Sequence, residues 1–360
     1  MNKQCQNRKT TFEITEEDLR FYERIQVSAP TWCPECGFRR RILFRNELNL
    51  YKRPCDLCGK DIISTYTIES TFPVYCNNCW FSDNWDPLVY GVKPDFSVPF
   101  LQQFYHLLQR APRPALSQMK NLNSEYTNFS AENKNCYLLA SALQCENCAY
   151  GARIFYSRDC FDCLDISHCE QCYQCLRCDR SSRCSYCGHG EGLVDCHYCF
   201  DCRGLTNCFG CVGLRNQSYC WFNVPLGKEE YLKRLTEIQH NSSSFESFFV
   251  EYCKLLLSVP RRYAYILKSS RSTGDNIVNC KGCQNCFFIR EVVDSKNIFI
   301  ASNLKDSMEV SYDDDSELSY EIMSGERDHR FMLGTNCWYS SDIQYSNLCF
   351  DSSFLFGCTT

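Results

Sequence analysis

Eight cysteines follow one another at intervals of twelve residues, and this spacing constrains the fold more than any other feature of the chain. They are Cys136, Cys148, Cys160, Cys172, Cys184, Cys196, Cys208 and Cys220. All 24 cysteines from Cys136 onward share one phase of a three-residue period, whereas ligand clusters would spread over three phases. A fixed short period is typical of a solenoid, whose units form a core by stacking. The spacing predicts a mostly β fold with a cysteine-lined β-solenoid of twelve-residue coils.

The length of one coil sets the size of its interior. Twelve extended residues span at most roughly 40 Å, so each of four sides would measure about 10 Å, the distance between facing sheets. Only small side chains are expected to fit in this space, and free cysteine behaves as a small buried hydrophobe. The residue before the leading cysteine is often Asn or Asp, as at Asn135, Asn147 and Asp159. These residues tolerate left-handed backbone and predict a turn once per coil.

Five segments are expected along the chain. They are a zinc-ribbon domain with an N-terminal helix (1–92), a helical linker (93–123), a first β-solenoid block (124–226), a helical insert (227–270) and a second block (271–360). Apolar residues at helical spacing predict helices over about 16–26, from Ser97 to Pro112, over 228–238 and over 245–259. The second block exchanges cysteine for aliphatic residues at equivalent positions.

Cys337 and Cys349 in the second block are twelve residues apart but displaced by three from the earlier spacing. This displacement predicts that one coil near 325–336 gains or loses a corner. The chain then ends without a visible capping element, although solenoids need caps. We therefore expect either that the chain is a truncated form or that its open C-terminal end is covered by a partner or assembles end to end.

Three C-x-x-C pairs outside the twelve-residue spacing give the strongest chemical signal. The pairs are Cys33 with Cys36, Cys55 with Cys58 and Cys76 with Cys79. A C-x-x-C turn points two thiolates at one ion, and two such pairs complete a tetrahedral Cys₄ zinc site. Three pairs overfill one site, so the third pair joins either the first or the second, and Cys5 is a further candidate ligand. A Cys₄ zinc is coordinatively closed, which indicates a stabilising cofactor.

A cluster of basic residues on the same segment suggests nucleic-acid binding as an alternative function. Its members are Arg39, Arg40, Arg41, Arg45, Lys52 and Arg53, and Phe38, Phe44, Tyr51 and Trp80 are interleaved with them. Cations supply phosphate contacts and aromatic rings stack on unpaired bases. The competing interpretation is that these residues solvate and pack a small ribbon.

The run His168-Cys169-x-x-Cys172-x-x-Cys175-x-x-Cys178 invites an iron–sulfur interpretation. The bacterial ferredoxin pattern needs an x₃ step and a following proline, and both are missing here. The coil already accounts for each of these spacings, which favours packing over ligation. Disulfides between neighbouring coils remain compatible with the spacing, because coils about 4.8 Å apart fall in the Cα range that a disulfide tolerates.

Several short segments resemble an uncharacterised family of zinc-ribbon and cysteine-repeat proteins from uncultured candidate-phylum bacteria. The segments are Phe12-Glu-Ile-Thr-Glu-Glu-Asp-Leu, Phe44-Arg-Asn-Glu, Leu50-Tyr-Lys-Arg, Val74-Tyr-Cys-Asn-Asn-Cys-Trp, Ser82-Asp-Asn-Trp-Asp-Pro and Cys211-Val-Gly-Leu-Arg-Asn. The resemblance extends through about residue 235. It implies a zinc-ribbon and solenoid architecture and assigns no activity.

These patterns favour a scaffold over an enzyme. The chain has no G-x-S-x-G, H-E-x-x-H or P-loop pattern, and its net charge is −5, so no global polycation is present. We expect a zinc-stabilised, non-catalytic protein that binds an unknown macromolecule, either a protein or a nucleic acid, and no membrane. A further alternative is an acidic rod that mimics duplex nucleic acid. The polar N-terminus has no signal-peptide pattern, which predicts a cytoplasmic protein.

Overall fold

The fold is dominated by a β-solenoid that runs from residue 118 to residue 356. The structure is a computed structural model that describes residues 1–240, 244–326 and 330–359. Strand partners lie twelve residues apart and run parallel, as where Ala152 pairs with Leu164 and Leu176 pairs with Gly188. The mostly β fold class and the twelve-residue coil are therefore confirmed.

Two small hairpin-and-helix units precede the solenoid, and we call them ribbon 1 (residues 2–42) and ribbon 2 (residues 51–80). Ribbon 1 contains β1 (Asn2–Gln4), β2 (Thr11–Glu13), α1 (Glu16–Arg24) and α2 (Pro34–Ile42). Ribbon 2 contains β3 (Tyr51–Pro54), β4 (Asp61–Ser64), β5 (Val74–Tyr75) and α3 (Asn77–Trp80). A 3-10 turn (Pro87–Tyr90), α4 (Phe100–Arg110) and β6 (Arg113–Pro114) lead to the first coil.

The first block of the solenoid consists of short parallel strands in two stacks, each in chain order, and the second stack ends in an antiparallel pair. They are β7 (Gln118–Met119), β8 (Asn128–Ala131), β9 (Tyr137–Leu143), β10 (Ala149–Phe155), β11 (Leu164–Ser167), β12 (Leu176–Asp179), β13 (Gly188–Glu191), β14 (Val194–His197), β15 (Thr206–Phe209), β16 (Cys220–Trp221) and β17 (Val224–Pro225). Two helices follow, α5 (Lys228–His240) and α6 (Ser244–Ser258). Cys253 lies in α6, so it shares the phase of the coil cysteines by coincidence.

The second block repeats the same construction. Its strands are β18 (Ile266–Leu267), β19 (Gly274–Val278), β20 (Cys286–Arg290), β21 (Phe299–Ser302), β22 (Met308–Asp314), β23 (Tyr320–Glu326), β24 (Thr335–Trp338), β25 (Ser341–Gln344) and β26 (Ser353–Phe356). Asp313 pairs with Gly325, and Gly325 pairs with Cys337. The expected gain or loss of a corner near 325–336 is therefore wrong. Cys337 is the inward residue of another side of an unchanged twelve-residue coil.

The backbone turns at four corners in each coil. From residue 129 to residue 222, every third residue has a φ between 46° and 72°. The turn expected at Asn135, Asn147 and Asp159 is confirmed, but the same conformation recurs at Leu138 and Phe222. A left-handed conformation costs a non-glycine residue about 1–2 kcal/mol. Each three-residue side thus places one side chain inside the coil and two outside.

The interior is lined by free thiols. The coil cysteines of the first block are buried, and the described residues contain no disulfide. Many of these thiols donate to the carbonyl nine residues ahead in the next coil, as from Cys160 Sγ to Cys169 O at 3.6 Å. The predicted restriction to small side chains is wrong, since Ile154 and Leu193 are also fully buried. Packing, not ligation, accounts for the cysteine spacing.

The two blocks lie side by side. The guanidinium groups of Arg153 and Arg177 lie 5.4 and 4.8 Å from the ring centre of Phe288 in the second block. His189 stacks on Tyr265 with ring centres 4.6 Å apart. In the part of the chain that the structure describes, no helix is long and apolar enough to cross a membrane.

Candidate metal centres and an aromatic surface

Four cysteines of ribbon 2 form the first candidate metal centre. The β3–β4 hairpin carries Cys55 and Cys58, and Cys76 and Cys79 lie at the start of α3. Their Sγ atoms all lie within 4.8 Å of one another. The structure thus brings the second and third C-x-x-C pairs together.

The geometry of this Cys₄ group fits a tetrahedral thiolate metal site. Sulfurs at 2.3 Å from a central ion form a tetrahedron with edges of about 3.8 Å, and Cys58 Sγ lies 4.0 Å from Cys76 Sγ. Burial raises the pKa of the Cys55 thiol, but hydrogen bonds from the backbone amides of Cys76, Cys58 and Leu57 outweigh it and bring the pKa to about 7. The site therefore favours a thiolate at Cys55, which is the form that binds metal.

Three cysteines of ribbon 1 form the second candidate centre. Cys5 lies at the end of the β1 strand, and Cys33 and Cys36 begin α2. All three residues are buried, and their Sγ atoms lie within 4.8 Å of one another. The first C-x-x-C pair therefore belongs to a candidate metal group of its own, together with Cys5. Burial raises the pKa of the Cys5 thiol, but the backbone amides of Cys33, Arg8 and Asn7 lower it to about 6.

Five of the six basic residues considered for nucleic-acid binding pair with carboxylates of the chain. Arg41 is buried and pairs with Glu309 of the second block at 2.8 Å. Arg40 pairs with Glu321. Arg53 is buried and donates to the carbonyl of Thr67 at 2.7 Å and to Asp56 at 2.8 Å.

Arg45 is held between the two solenoid blocks. Its guanidinium lies 3.8 Å from the ring centre of Phe129 in the first block and 3.9 Å from that of Tyr312 in the second. Burial lowers its pKa, and the Glu47 carboxylate opposes this effect. Arg39 and Lys52 keep more exposed positions, with Arg39 paired to Glu35 one turn away. Arg40 and Arg41 therefore attach ribbon 1 to the second block, whereas Arg39 and Arg53 contact residues of their own ribbons.

The ribbons attach to the solenoid in two different ways. Ribbon 2 pairs with the segment that enters the first coil, because Val74 and Tyr75 pair in parallel with Arg113 and Pro114. The amide of Thr65 also donates to the carbonyl of Ala115 at 2.9 Å. Ribbon 1 contacts the outer side of the second block through side chains.

The contacts of ribbon 1 with the second block are aromatic and ionic. Tyr22 and Phe21 of α1 pack on Tyr320, with ring centres 5.5 and 6.3 Å away. Lys296 donates to the carboxylate of Asp18 at 2.7 Å. Asp18 also closes the capping box of α1 with Thr15.

An aromatic stripe on the outer face of the first block was not recognised in the sequence. Two adjacent outward columns contain Tyr126, Tyr137, Tyr150, Phe161, Tyr173, Tyr186, Tyr198, Phe209, Trp221 and Phe222, which we call the stripe. Rings of neighbouring coils touch, as between Tyr137 and Tyr150 at 5.6 Å and between Tyr186 and Tyr198 at 4.6 Å. A search for aromatic residues at alternating intervals of eleven to thirteen would have revealed it.

The two ends of the stripe differ in exposure. Its C-terminal end is covered by α5 and α6, where Phe248 lies 4.9 Å from Tyr198 and 4.8 Å from Phe209 between ring centres. Its N-terminal end, from Tyr126 to Tyr186, has ring-bearing residues that are between 37% and 54% exposed. The stripe therefore passes from a covered section to an open one.

Comparison with known proteins adds no assignment. No protein-family model matches the chain, and no curated protein matches it.

Proposed function

We propose that the protein is a zinc-stabilised scaffold without catalytic activity that binds a partner protein through the open section of the stripe. The observation that carries this proposal is the continuity of the stripe with an interface that the chain already makes with its own helices. Aromatic side chains supply large, rigid contact areas and are enriched where proteins bind one another.

Zinc is the metal that best suits the Cys₄ group. Soft thiolate ligands in a tetrahedral arrangement select zinc or iron–sulfur clusters, and ribbon 2 has the hairpin and helix start that hold a single ion. A closed Cys₄ site contributes folding energy and leaves no position for a substrate. Because ribbon 2 is hydrogen-bonded to the segment that enters the first coil, its metal would stabilise the N-terminal end of the solenoid.

The occupant proposed for the open stripe is an amphipathic helix of another protein. On the covered section, Phe248 of α6 contacts rings of three consecutive coils, those of Tyr198, Phe209 and Phe222. Coils repeat at about 4.8 Å and helical turns at about 5.4 Å, so a helix lying along the rod meets a new ring with nearly every turn. A partner helix with apolar residues at i, i+3 or i+4 and i+7 matches this surface.

The two nucleic-acid alternatives receive less support from the contacts. Three of the six basic residues contact the solenoid, and Arg39 and Arg53 pair with carboxylates of their own ribbons. The outer faces of the coils carry ladders of opposite charge, as from Lys134 to Glu146 at 2.8 Å and from Arg183 to Asp195 at 2.6 Å. A duplex mimic needs an excess of carboxylates, which such pairing does not provide.

A displayed library of helical peptides tests the proposal. Selection on the full chain should enrich amphipathic helices, and their binding should fall at least tenfold in the double variant Tyr150→Ser/Tyr173→Ser. Tyr339→Ser/Phe350→Ser is the matched control, because these two rings are similarly exposed on the second block. Peptides that bind the stripe variant as well as they bind the unchanged protein, or a selection that enriches no helical peptide, would refute the proposal.

A further inference from the structure

Ribbon 1 and ribbon 2 have the same local construction. The β1–β2 hairpin places Gln4 opposite Thr11, and the β3–β4 hairpin places Pro54 opposite Asp61. Gln4 and Pro54 are fifty positions apart in the sequence, and so are Thr11 and Asp61. The same offset relates Cys5 to Cys55, so both cysteines occupy the same place at the end of the first strand.

The turn that follows each of these cysteines is also the same. The amide of Cys5 donates to Thr10 O at 2.9 Å, and the amide of Cys55 donates to Lys60 O at 2.8 Å. A left-handed residue closes each turn, Lys9 with a φ of 60° and Gly59 with a φ of 73°. The two loops therefore have superimposable hydrogen bonding from their first residue to their last.

The helices that complete the two ribbons begin in the same way. Cys33 and Cys76 are the N-cap residues of α2 and α3, with φ and ψ of −67° and 159° and of −65° and 159°. The amide of Cys33 donates to Cys5 Sγ at 3.3 Å, and the amide of Cys76 donates to Cys55 Sγ at 3.2 Å. Three of the four thiols of ribbon 2 thus have an exact counterpart in ribbon 1.

The fourth thiol has no counterpart, because Arg8 stands where ribbon 2 has Cys58. The guanidinium of Arg8 is engaged with the carboxylate of Glu35 on α2. Cys58 is exposed while the three matching thiols of ribbon 1 are buried, so the fourth corner of ribbon 1 faces solvent. Asn7 Nδ2 donates to Cys36 Sγ at 3.5 Å.

We propose that ribbon 1 is a second metal site, in which Cys5, Cys33 and Cys36 bind one zinc ion and the fourth position takes a donor from outside the chain. Three protein ligands with an external fourth ligand is the arrangement of an open zinc site. Water occupies the fourth position in the isolated protein, and a monodentate nitrogen donor such as imidazole, the chemistry of a histidine side chain, replaces it. This proposal shares with the proposed function only the assumption that these thiolates bind metal.

Cobalt(II) substitution in the metal-free full chain under reducing conditions tests the proposal. The visible bands of cobalt depend on its ligands, so they report an exchange at the fourth position. We expect the unchanged protein to bind two equivalents of cobalt and Cys5→Ser to bind one. Imidazole should shift the spectrum of the unchanged protein, and Arg8→Cys, which supplies the missing thiolate, should abolish the shift. The reciprocal variant Cys58→Arg should roughly double it.

The possible outcomes separate this proposal from the previous one. If the unchanged protein bound only one equivalent of cobalt, and Cys5→Ser bound one as well, the site in ribbon 1 would be overturned and the Cys₄ site would stand. An equal response to imidazole in the unchanged protein and in Arg8→Cys would overturn the open fourth position. Absence of any bound cobalt would overturn both metal sites.

Discussion

Replacing Gly151 with alanine should destabilise the first solenoid block by about 1–3 kcal/mol, the usual cost of overpacking. Gly151 belongs to the inward positions of its coil, and its backbone lies outside the left-handed region. An added Cβ would lie 2.4 Å from Ile154 Cδ1 and 2.7 Å from the carbonyl oxygen of Cys163. Both distances are far below van der Waals contact, and Ile154 is fully buried. Either the isoleucine must leave its position or the two coils must separate.

A second substitution shows whether the steric clash with Ile154 causes the loss of stability in Gly151→Ala. Ile154→Val deletes the Cδ1 atom and by itself should cost about 0.5–1.5 kcal/mol. In the double variant the deleted atom no longer meets the new Cβ, so the combined loss should be smaller than the sum by about 1 kcal/mol. The clash between the new Cβ and the carbonyl oxygen of Cys163 remains, so the double variant should still lose part of the stability that Gly151→Ala loses.

Urea unfolding followed by far-ultraviolet circular dichroism measures these free energies. Gly227→Ala is the matched control, because no atom lies within 4 Å of a Cβ built there, and it should change stability by less than about 0.5 kcal/mol. The packing argument would be refuted if Gly151→Ala behaved like this control. Strict additivity of the two substitutions would refute it as well.

Three further predictions concern the ribbons and the thiols. Arg41→Met should cost about 3–5 kcal/mol because it leaves the buried Glu309 carboxylate without its partner, and Arg41→Met/Glu309→Met should recover most of the loss in thermal unfolding. Burial already raises the pKa of Glu309, so the loss of stability caused by Arg41→Met should shrink as the pH falls from about 7 to about 4 and Glu309 takes up a proton. A loss of stability that is independent of pH would contradict this. In native protein without metal, iodoacetamide should modify Cys58 before the coil cysteines, which are buried, and mass spectrometry of the peptides would show early labelling of Cys172 if the interior were open.

The coil could be predicted because its signal is periodic and local. Each coil buries one residue in three, so the inward position recurs many times along the sequence. A single residue of another type at an inward position does not hide the pattern. The left-handed corners could be predicted only where Asn or Asp occupies them. At Leu138 and Phe222 the fold imposes the same backbone on residues that disfavour it, and no local preference reveals this.

The metal groups could be predicted only in part. C-x-x-C spacing identifies ligand pairs, but which pairs meet depends on how the hairpins and helices fold together. Cys5 is not part of a C-x-x-C pair, because Arg8 occupies the position of the second cysteine. Its membership in a ribbon is visible only in the hydrogen bonding of that turn. The basic cluster shows the same limit, since the partners of Arg41 and Arg45 lie far away in the chain.

The two ways in which the ribbons attach explain why their metal groups differ. Ribbon 2 joins the segment that enters the first coil through backbone hydrogen bonds, in which the amides of Arg113 and Ala115 donate to the carbonyls of Pro73 and Tyr75. The backbone of ribbon 2 is thus coupled to the start of the solenoid. A site of four internal thiolates suits this position because its stability depends on no external ligand. Ribbon 1 joins the second block through side chains such as Tyr22 and Arg41 and adds no strand to the solenoid. Its metal group is therefore free to respond to an external donor without altering the backbone pairing of the coils.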